Sequence, residues 1–210
     1  MLKIFSRRTG KSSGKKRGAI FQTVDVGSGI GEWTSKQAER FPSRTYVAVD
    51  PLYSLGKGAP FIRKMIKRLS KKGVKVEPRT LEDFLKTMIK RKQKARNFNI
   101  DMPTHPFELY NFEFLFENIS RVLFPNGKIF VKSEMHTKLR KLRELAKRYS
   151  LRVSAIKSLP RIPVESLRTG AMKLIAEDSI QSPEKKTYQI YSLVITYGLK
   201  KARKDFDNQR

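Results

Sequence analysis

The chain has 210 residues, 39% of them hydrophobic, which is the size of one domain and enough to bury a core without disulfides or metals. Its 46 Lys and Arg against 19 Asp and Glu give a net charge of +27, a self-repelling balance that points to a polyanionic partner, a phosphate backbone ahead of a membrane. With no Cys there is no disulfide framework, thiolate zinc site or cysteine nucleophile, and two His residues, His105 and His136, leave little for a metal cluster, so no metal is expected.

Residues 1–18 carry Lys3, Arg7, Arg8, Lys11, Lys15, Lys16 and Arg17 without a carboxylate, and are expected to form a basic flexible arm. This stretch has no apolar core for a secretory signal. It has the composition of a mitochondrial transit peptide but not a clear amphipathic pattern. No stretch approaches the roughly 18 apolar residues of a membrane span. The expectation is a soluble cytoplasmic protein with no membrane partner, an organelle being the alternative.

The domain is expected over 19–199. A β-rich run from Ala19 to Val26 ends in glycines, and a helix follows from Glu32 to Arg40. Thr45–Val49 is a second strand, stopped by Asp50-Pro51. Phe61–Lys71 reads as a helix and Val74–Glu77 as a short strand. Leu81–Arg91 is helical, with Thr80 as N-cap and Asp83 at the third position, a capping-box-like start. Asn97–Asp101 is a fourth strand, ended by Met102-Pro103. Phe107–Leu123 has the stripe of an amphipathic helix, and Pro125-Asn126-Gly127 reads as a turn into strand Lys128–Lys132. His136–Tyr149 is a helix and Leu151–Ile156 a strand. After a Pro- and Ser-rich connection, Tyr188–Tyr197 is the last strand, and 200–210 is a charged tail. Strands alternating with helices imply βαβ units and a parallel sheet.

The most informative segment is Val24-Asp25-Val26-Gly27-Ser28-Gly29-Ile30-Gly31. Its glycines permit positive φ and let the backbone approach a ligand, and the helix that follows offers N–H groups to an anion. Alone, such a loop is also an ordinary β–α turn. Asp50 closes the next strand, where a carboxylate can accept both ribose hydroxyls of an adenosine. The G-x-G-x-G spacing differs from the G-x-G-x-x-G of a dinucleotide loop, and no phosphate-cradling lysine motif is present.

These segments resemble the class I S-adenosylmethionine-dependent methyltransferases. Val24 to Gly31 looks like that family's first motif, Tyr46-Val47-Ala48-Val49-Asp50-Pro51 like its second, and Asn99-Ile100-Asp101-Met102-Pro103 like its fourth-strand motif. Ile119 to Val131 resembles the usual continuation. The resemblance covers about residues 22–133. It implies a Rossmann-like, seven-stranded, mostly parallel sheet with helices on both faces and an antiparallel last strand. It also implies S-adenosyl-L-methionine as cofactor. Gly27, Ser28, Gly29 and Gly31 would line its methionine portion, and Asp50, followed by Pro51, its ribose. Asp25 would lie near the methionine amino group or support the loop. The adenine contact would fall near Thr80 and Leu81, where the family often has an acid. Here Glu82 and Asp83 are shifted along and read better as helix capping. There is a fainter resemblance to the tRNA guanine-N7 methyltransferases, which have an Asp-Pro-Trp segment where this chain has Asp101-Met102-Pro103-Thr104-His105.

Asp101, at the carboxyl end of a strand, is the catalytic candidate: it can take or orient a proton of a base nitrogen. Its bland role is to cap the Met102-Pro103 turn. The missing cysteine excludes carbon-5 methylation through a thiolate adduct. Basic runs at 63–72, 86–96 and 138–148, with the arm, point to RNA, either tRNA or rRNA, although each run alone is an ordinary solvated face. Phe and Tyr mostly sit at core spacing, and none reads as an exposed stacking platform. The expected activity is methylation of a base nitrogen or ribose oxygen of RNA. The alternative is a catalytically inactive methyltransferase-like RNA-binding or ribosome-assembly protein.

Overall fold

Alternating β-branched and helix-forming blocks fold as a sheet with helices on both faces. The computed structural model describes residues 20–29, 31–102, 109–133, 135–159, 162–163 and 187–198. The arm 1–18, the tail 200–210 and the segment holding His105 lie outside them. In chain order the elements are β1 (Ile20–Val26), α1 (Glu32–Arg40), β2 (Tyr46–Val49), a 3-10 helix (Pro51–Lys57), α2 (Pro60–Lys71), β3 (Lys75–Glu77), α3 (Leu81–Lys90) and β4 (Lys94–Met102). Next come α4 (Leu109–Glu117), α5 (Ile119–Val122), β5 (Leu123–Ser133), α6 (His136–Arg148), β6 (Arg152–Val153), β7 (Lys157–Ser158), β8 (Ile162–Pro163), β9 (Thr187–Tyr188) and β10 (Tyr191–Thr196).

The sheet runs β3-β2-β1-β4-β5-β10-β6, with β7 also paired to β10. Strands β1 to β5 are parallel, and β10 is antiparallel to its neighbours. Of the strand expected over Leu151–Ile156 only β6 forms, and β7 follows just beyond its predicted end. Between them Ser154 interrupts the ladder: its N–H donates to Val194 O at 2.9 Å, and its hydroxyl accepts from Val194 N at 3.0 Å.

Two further expectations change. The helix predicted over 107–123 breaks at Asn118 into α4 and α5, where the Asn118 side chain donates back to Phe114 O at 3.0 Å, and Leu123 already belongs to β5. Pro125-Asn126-Gly127 is a bulge within β5 rather than a turn before it: Ala95 and Asn97 of β4 align with Leu123 and Lys128. Asn126 adopts φ 63° and donates its N–H to Tyr197 O at 2.7 Å, so a strand from far along the chain fixes this conformation.

The larger apolar cluster joins the sheet to α3, α4, α5 and α6 through Phe84, Phe98, Leu115, Phe116, Ile129 and Leu139, all fully buried. A smaller one on the opposite face joins Tyr46 and Ala48 of β2 to Tyr53 and to Ile62, Met65 and Leu69 of α2. The three basic runs are therefore divided: α2 lies on one face, while α3 and α6 flank α4 on the other. Among the described residues no helix is long and apolar enough to cross a membrane, and no group of three or more His, Asp and Glu forms a metal-ligand cluster.

Candidate functional site at the carboxyl edge of the sheet

β1, β2 and β3 step outward on one side of β1, and the chain then crosses back to lay β4 on the other. The carboxyl ends of β1 and β4 thus flank the switch point where open α/β sheets bind ligands. Register brings the relevant residues level: Val26 pairs with Val49 and Ile100, and Val49 pairs with Glu77.

The glycine loop leaves β1 here. Gly27, Gly29 and Gly31 adopt φ of 66°, 51° and 68°, the left-handed region that costs other residues about 1–2 kcal/mol. Gly27 N donates to Val49 O at 3.0 Å, which ties the loop to β2. Gly31 is demanded by packing as well, since a Cβ there would lie 2.6 Å from Leu69 Cδ1 of α2. α1 starts on Gly31 without a side-chain cap, so no side chain competes for the N–H groups of its first turn.

Asp50 binds this loop from β2. Its Oδ2 accepts from Gly29 N at 2.8 Å, and its Oδ1 accepts from Leu52 N at 2.9 Å as N-cap of the 3-10 helix that Pro51 begins. A carboxylate has about four acceptor sites, so each oxygen retains a lone pair toward the half-exposed edge.

Asp25 differs. It is 3% exposed, its Oδ2 accepts from the Thr34 hydroxyl, and its Oδ1 accepts from Asn99 Nδ2 at 2.6 Å. These bonds satisfy a buried carboxylate and lash α1 to β1 and β4. Of the two roles expected for Asp25, they serve loop support. The Ser28 hydroxyl lies 2.7 Å from the Tyr53 hydroxyl, which burial holds well above its ordinary value of 10.0; the Asp50 and Asp25 charges add to the shift and the Ser28 bond opposes it. Tyr53 therefore stays neutral beneath the loop.

Thr80 caps α3: its Oγ1 accepts from Asp83 N at 3.2 Å and donates to Asp83 Oδ2 at 3.0 Å. Leu81 packs, half-buried, against the larger cluster, and Glu82 pairs with Lys86 at 2.6 Å. The acids at 82 and 83 thus cap and brace the helix. β4 brings Asp101 to the same edge as the glycine loop, in register with Lys132 of β5.

The residues that sequence reasoning missed are Thr34, Asn99, Tyr53 and Glu77. Strand alternation offers a signal for one of them, placing Asn97 and Asn99 on one side of a central strand where apolar residues are the rule. Glu77, 5% exposed, ends β3 between Lys75 at 2.6 Å and Arg79 at 3.0 Å, while its carbonyl accepts from Asp50 N at 3.2 Å. On the far face, a groove of about 520 Å³ between α4 and α6 is lined by Glu113 and Glu144 as well as Arg140, Lys141 and Arg148. Its two carboxylates are set among three cations, so the lining is of mixed charge.

No protein-family model and no curated protein matches the sequence. Among solved structures, the chain is similar to the 16S rRNA (adenine(1408)-N(1))-methyltransferase from Catenulisporales acidiphilia, at 14% identity over 86% of this chain and 88% of that one, with a TM-score of 0.54. A variant of that enzyme has been solved with its cosubstrate SAM. The chain is also similar to a precorrin-6y C5,15-methyltransferase from Geobacter metallireducens, at 15% identity over 86% and 83% of the two chains and a TM-score of 0.53. A third likeness is to the Methanococcus jannaschii fibrillarin pre-rRNA processing protein, at 12% identity over 87% of this chain and 68% of that one, with a TM-score of 0.52. These likenesses establish the architecture: the chain has the Rossmann-like fold of the class I methyltransferases.

Proposed function

We propose that the chain is an S-adenosylmethionine-dependent methyltransferase that acts on tRNA or rRNA, at a base nitrogen or ribose oxygen. The observation that carries this reading is Asp50, a carboxylate clamped at the switch point by Gly29 N and Leu52 N with acceptor capacity left on both oxygens. Those oxygens suit the two hydroxyls of a ribose. Gly27 and Gly29 let the backbone pass close to the methionine portion, beside the Ser28 hydroxyl, and Thr80 with Leu81 borders the adenine side.

When bound, S-adenosylmethionine would supply an electrophilic sulfonium methyl for transfer to a lone pair of the acceptor, which would give up a proton. Asp101, at the end of β4, takes or orients that proton. Asp25, Thr34 and Asn99 hold the loop from below. RNA is favoured as acceptor by the net charge of +27 and by the fold shared with an rRNA methyltransferase.

One observation favours a second reading. Thr80 closes on Asp83 and the family's usual acid is absent there, as in a methyltransferase-like RNA-binding protein that has lost turnover.

Calorimetric titration of nuclease-treated protein with S-adenosylmethionine separates the two. The expected result is saturable binding that Asp50→Ala weakens by more than about 100-fold, since two hydrogen bonds to a charged group contribute about 1.5–3 kcal/mol each. Salt-sensitive RNA affinity stays nearly intact in this variant. A folded wild-type protein that binds no cofactor overturns the methyltransferase reading and leaves the second. Labelled methyl groups in nuclease-sensitive material establish the acceptor, and labelled protein alone overturns RNA as substrate.

A further inference from the structure

Large apolar side chains are exposed at the same edge as the glycine loop. Trp33, in the first turn of α1, is 39% exposed; Leu55 of the 3-10 helix is 58% exposed; and Phe61, in the first turn of α2, is 65% exposed. Trp33 follows closely on the carboxyl end of β1 and Leu55 on that of β2, Phe61 comes after the intervening 3-10 helix, and α1 and α2 share one face of the sheet. Phe61 lies off the buried stripe of Ile62, Met65 and Leu69, so the core does not require it.

Its place is fixed by the helix. Leu69 lies beneath Gly31, and the eight residues back to Phe61, at about 1.5 Å each, put that ring roughly 12 Å along the axis from the loop. Trp33 is two residues beyond Gly31. Around Phe61 the charge has one sign, since α2 carries Arg63, Lys64, Lys67, Arg68 and Lys71 and no carboxylate, while beside Trp33 the Glu32 carboxylate is paired with Lys36 at 3.0 Å. Exposed rings set among cations are what single-stranded nucleic acid recognises, through base stacking and phosphate contact.

We propose that Phe61 and Trp33 form a stacking platform for unpaired nucleotides of the RNA substrate, with Arg63 and Lys64 on the phosphates. The proposal rests on the RNA reading above and adds to it the class of substrate, a single-stranded or splayed segment rather than an intact duplex.

The test is equilibrium binding of a short oligoadenylate single strand, a duplex RNA of equal length and an oligoglutamate peptide to the full chain and its variants over a range of salt. Phe61→Ala is expected to weaken single-strand binding about tenfold, within the range for one lost stacking contact, while duplex binding and the salt slope hold. Phe61→Trp restores the affinity and Phe61→Leu does not. Arg63→Gln with Lys64→Gln lowers the salt slope. Unchanged single-strand affinity in Phe61→Ala, equal loss for single strand and duplex, or rescue by leucine overturns the platform. So does a loss of oligoglutamate binding as large as that for RNA, which marks a docking surface for an acidic protein segment. A wild-type chain that binds neither RNA in a salt-sensitive way overturns the RNA reading itself. Strong wild-type binding that Phe61→Ala leaves intact overturns only the platform.

Discussion

On one face of the sheet, α3, α4, α5 and α6 bury a continuous set of Phe, Leu and Ile against β1, β2, β4, β5 and β10. On the other, α1, the 3-10 helix and α2 share a much smaller set around Tyr46, Tyr53, Met65 and Leu69. The polar residues beneath the glycine loop side with the smaller set: Asp25 bonds Thr34 and Asn99, Ser28 bonds Tyr53, and Leu69 props Gly31, whereas Thr80 and Leu81 start α3 against the larger set. The larger set thus carries most of the core, while the glycine loop is supported from the smaller one. A substitution on the large-cluster face should unfold the chain without retuning the loop, and one on the small-cluster face should do the reverse.

The largest effect is expected from Phe98→Ala. Phe98 is fully buried in the larger cluster, and removing a ring of that size costs about 3–5 kcal/mol, read as a fall in the denaturant midpoint with an unchanged slope. Cofactor affinity of the fraction that remains folded stays at the wild-type value. A parallel loss of affinity would show that the two faces are coupled.

Gly31→Ala probes the other face. The added methyl meets φ 68° and lies 2.6 Å from Leu69 Cδ1, so strain of about 1–3 kcal/mol falls on the loop. Cofactor affinity should fall by more than the modest loss of stability implies. Gly31→Ala with Leu69→Ala should relieve the contact but not the backbone strain, leaving affinity only partly restored. Full restoration would locate the whole requirement for glycine in packing.

What the sequence made legible follows the same division. The alternation of elements, the Thr80 cap, the glycine loop and Asp50 are local, because each is written within a few neighbouring residues. Asn126 and Ser154 were not legible as ladder irregularities, since their partners Tyr197 and Val194 lie some distance further along the chain. The 3-10 helix was missed because Asp50 reads first as a strand terminator, although its side chain also caps the next turn. The role of Asp25 depends on Asn99, which only strand pairing brings alongside. Aromatic spacing suggested core for most Phe and Tyr, and the exposure of Phe61 follows from where the first turn of α2 emerges relative to the sheet edge, which periodicity does not encode.

The smallest effect separates the two faces most finely. Tyr53→Phe keeps the ring that fills the smaller cluster and removes only the hydroxyl 2.7 Å from Ser28, a loss of about 0.5–1.5 kcal/mol for one hydrogen bond. Burial raises the folded-state pKa of this phenol above the 10.0 of an exposed tyrosine, so between those values the folded chain holds a proton that the unfolded chain has released. The stability tied to the neutral hydroxyl is complete below pH 10.0 and is lost as pH climbs toward the folded-state value. Wild-type protein should therefore lose stability progressively above pH 10.0, and Tyr53→Phe should flatten that decline while lowering cofactor affinity slightly through a looser Ser28. If the variant keeps the full alkaline decline, another group governs it. If stability falls but affinity does not, Ser28 is positioned by the glycines on either side of it and the small cluster supports the loop only through Leu69.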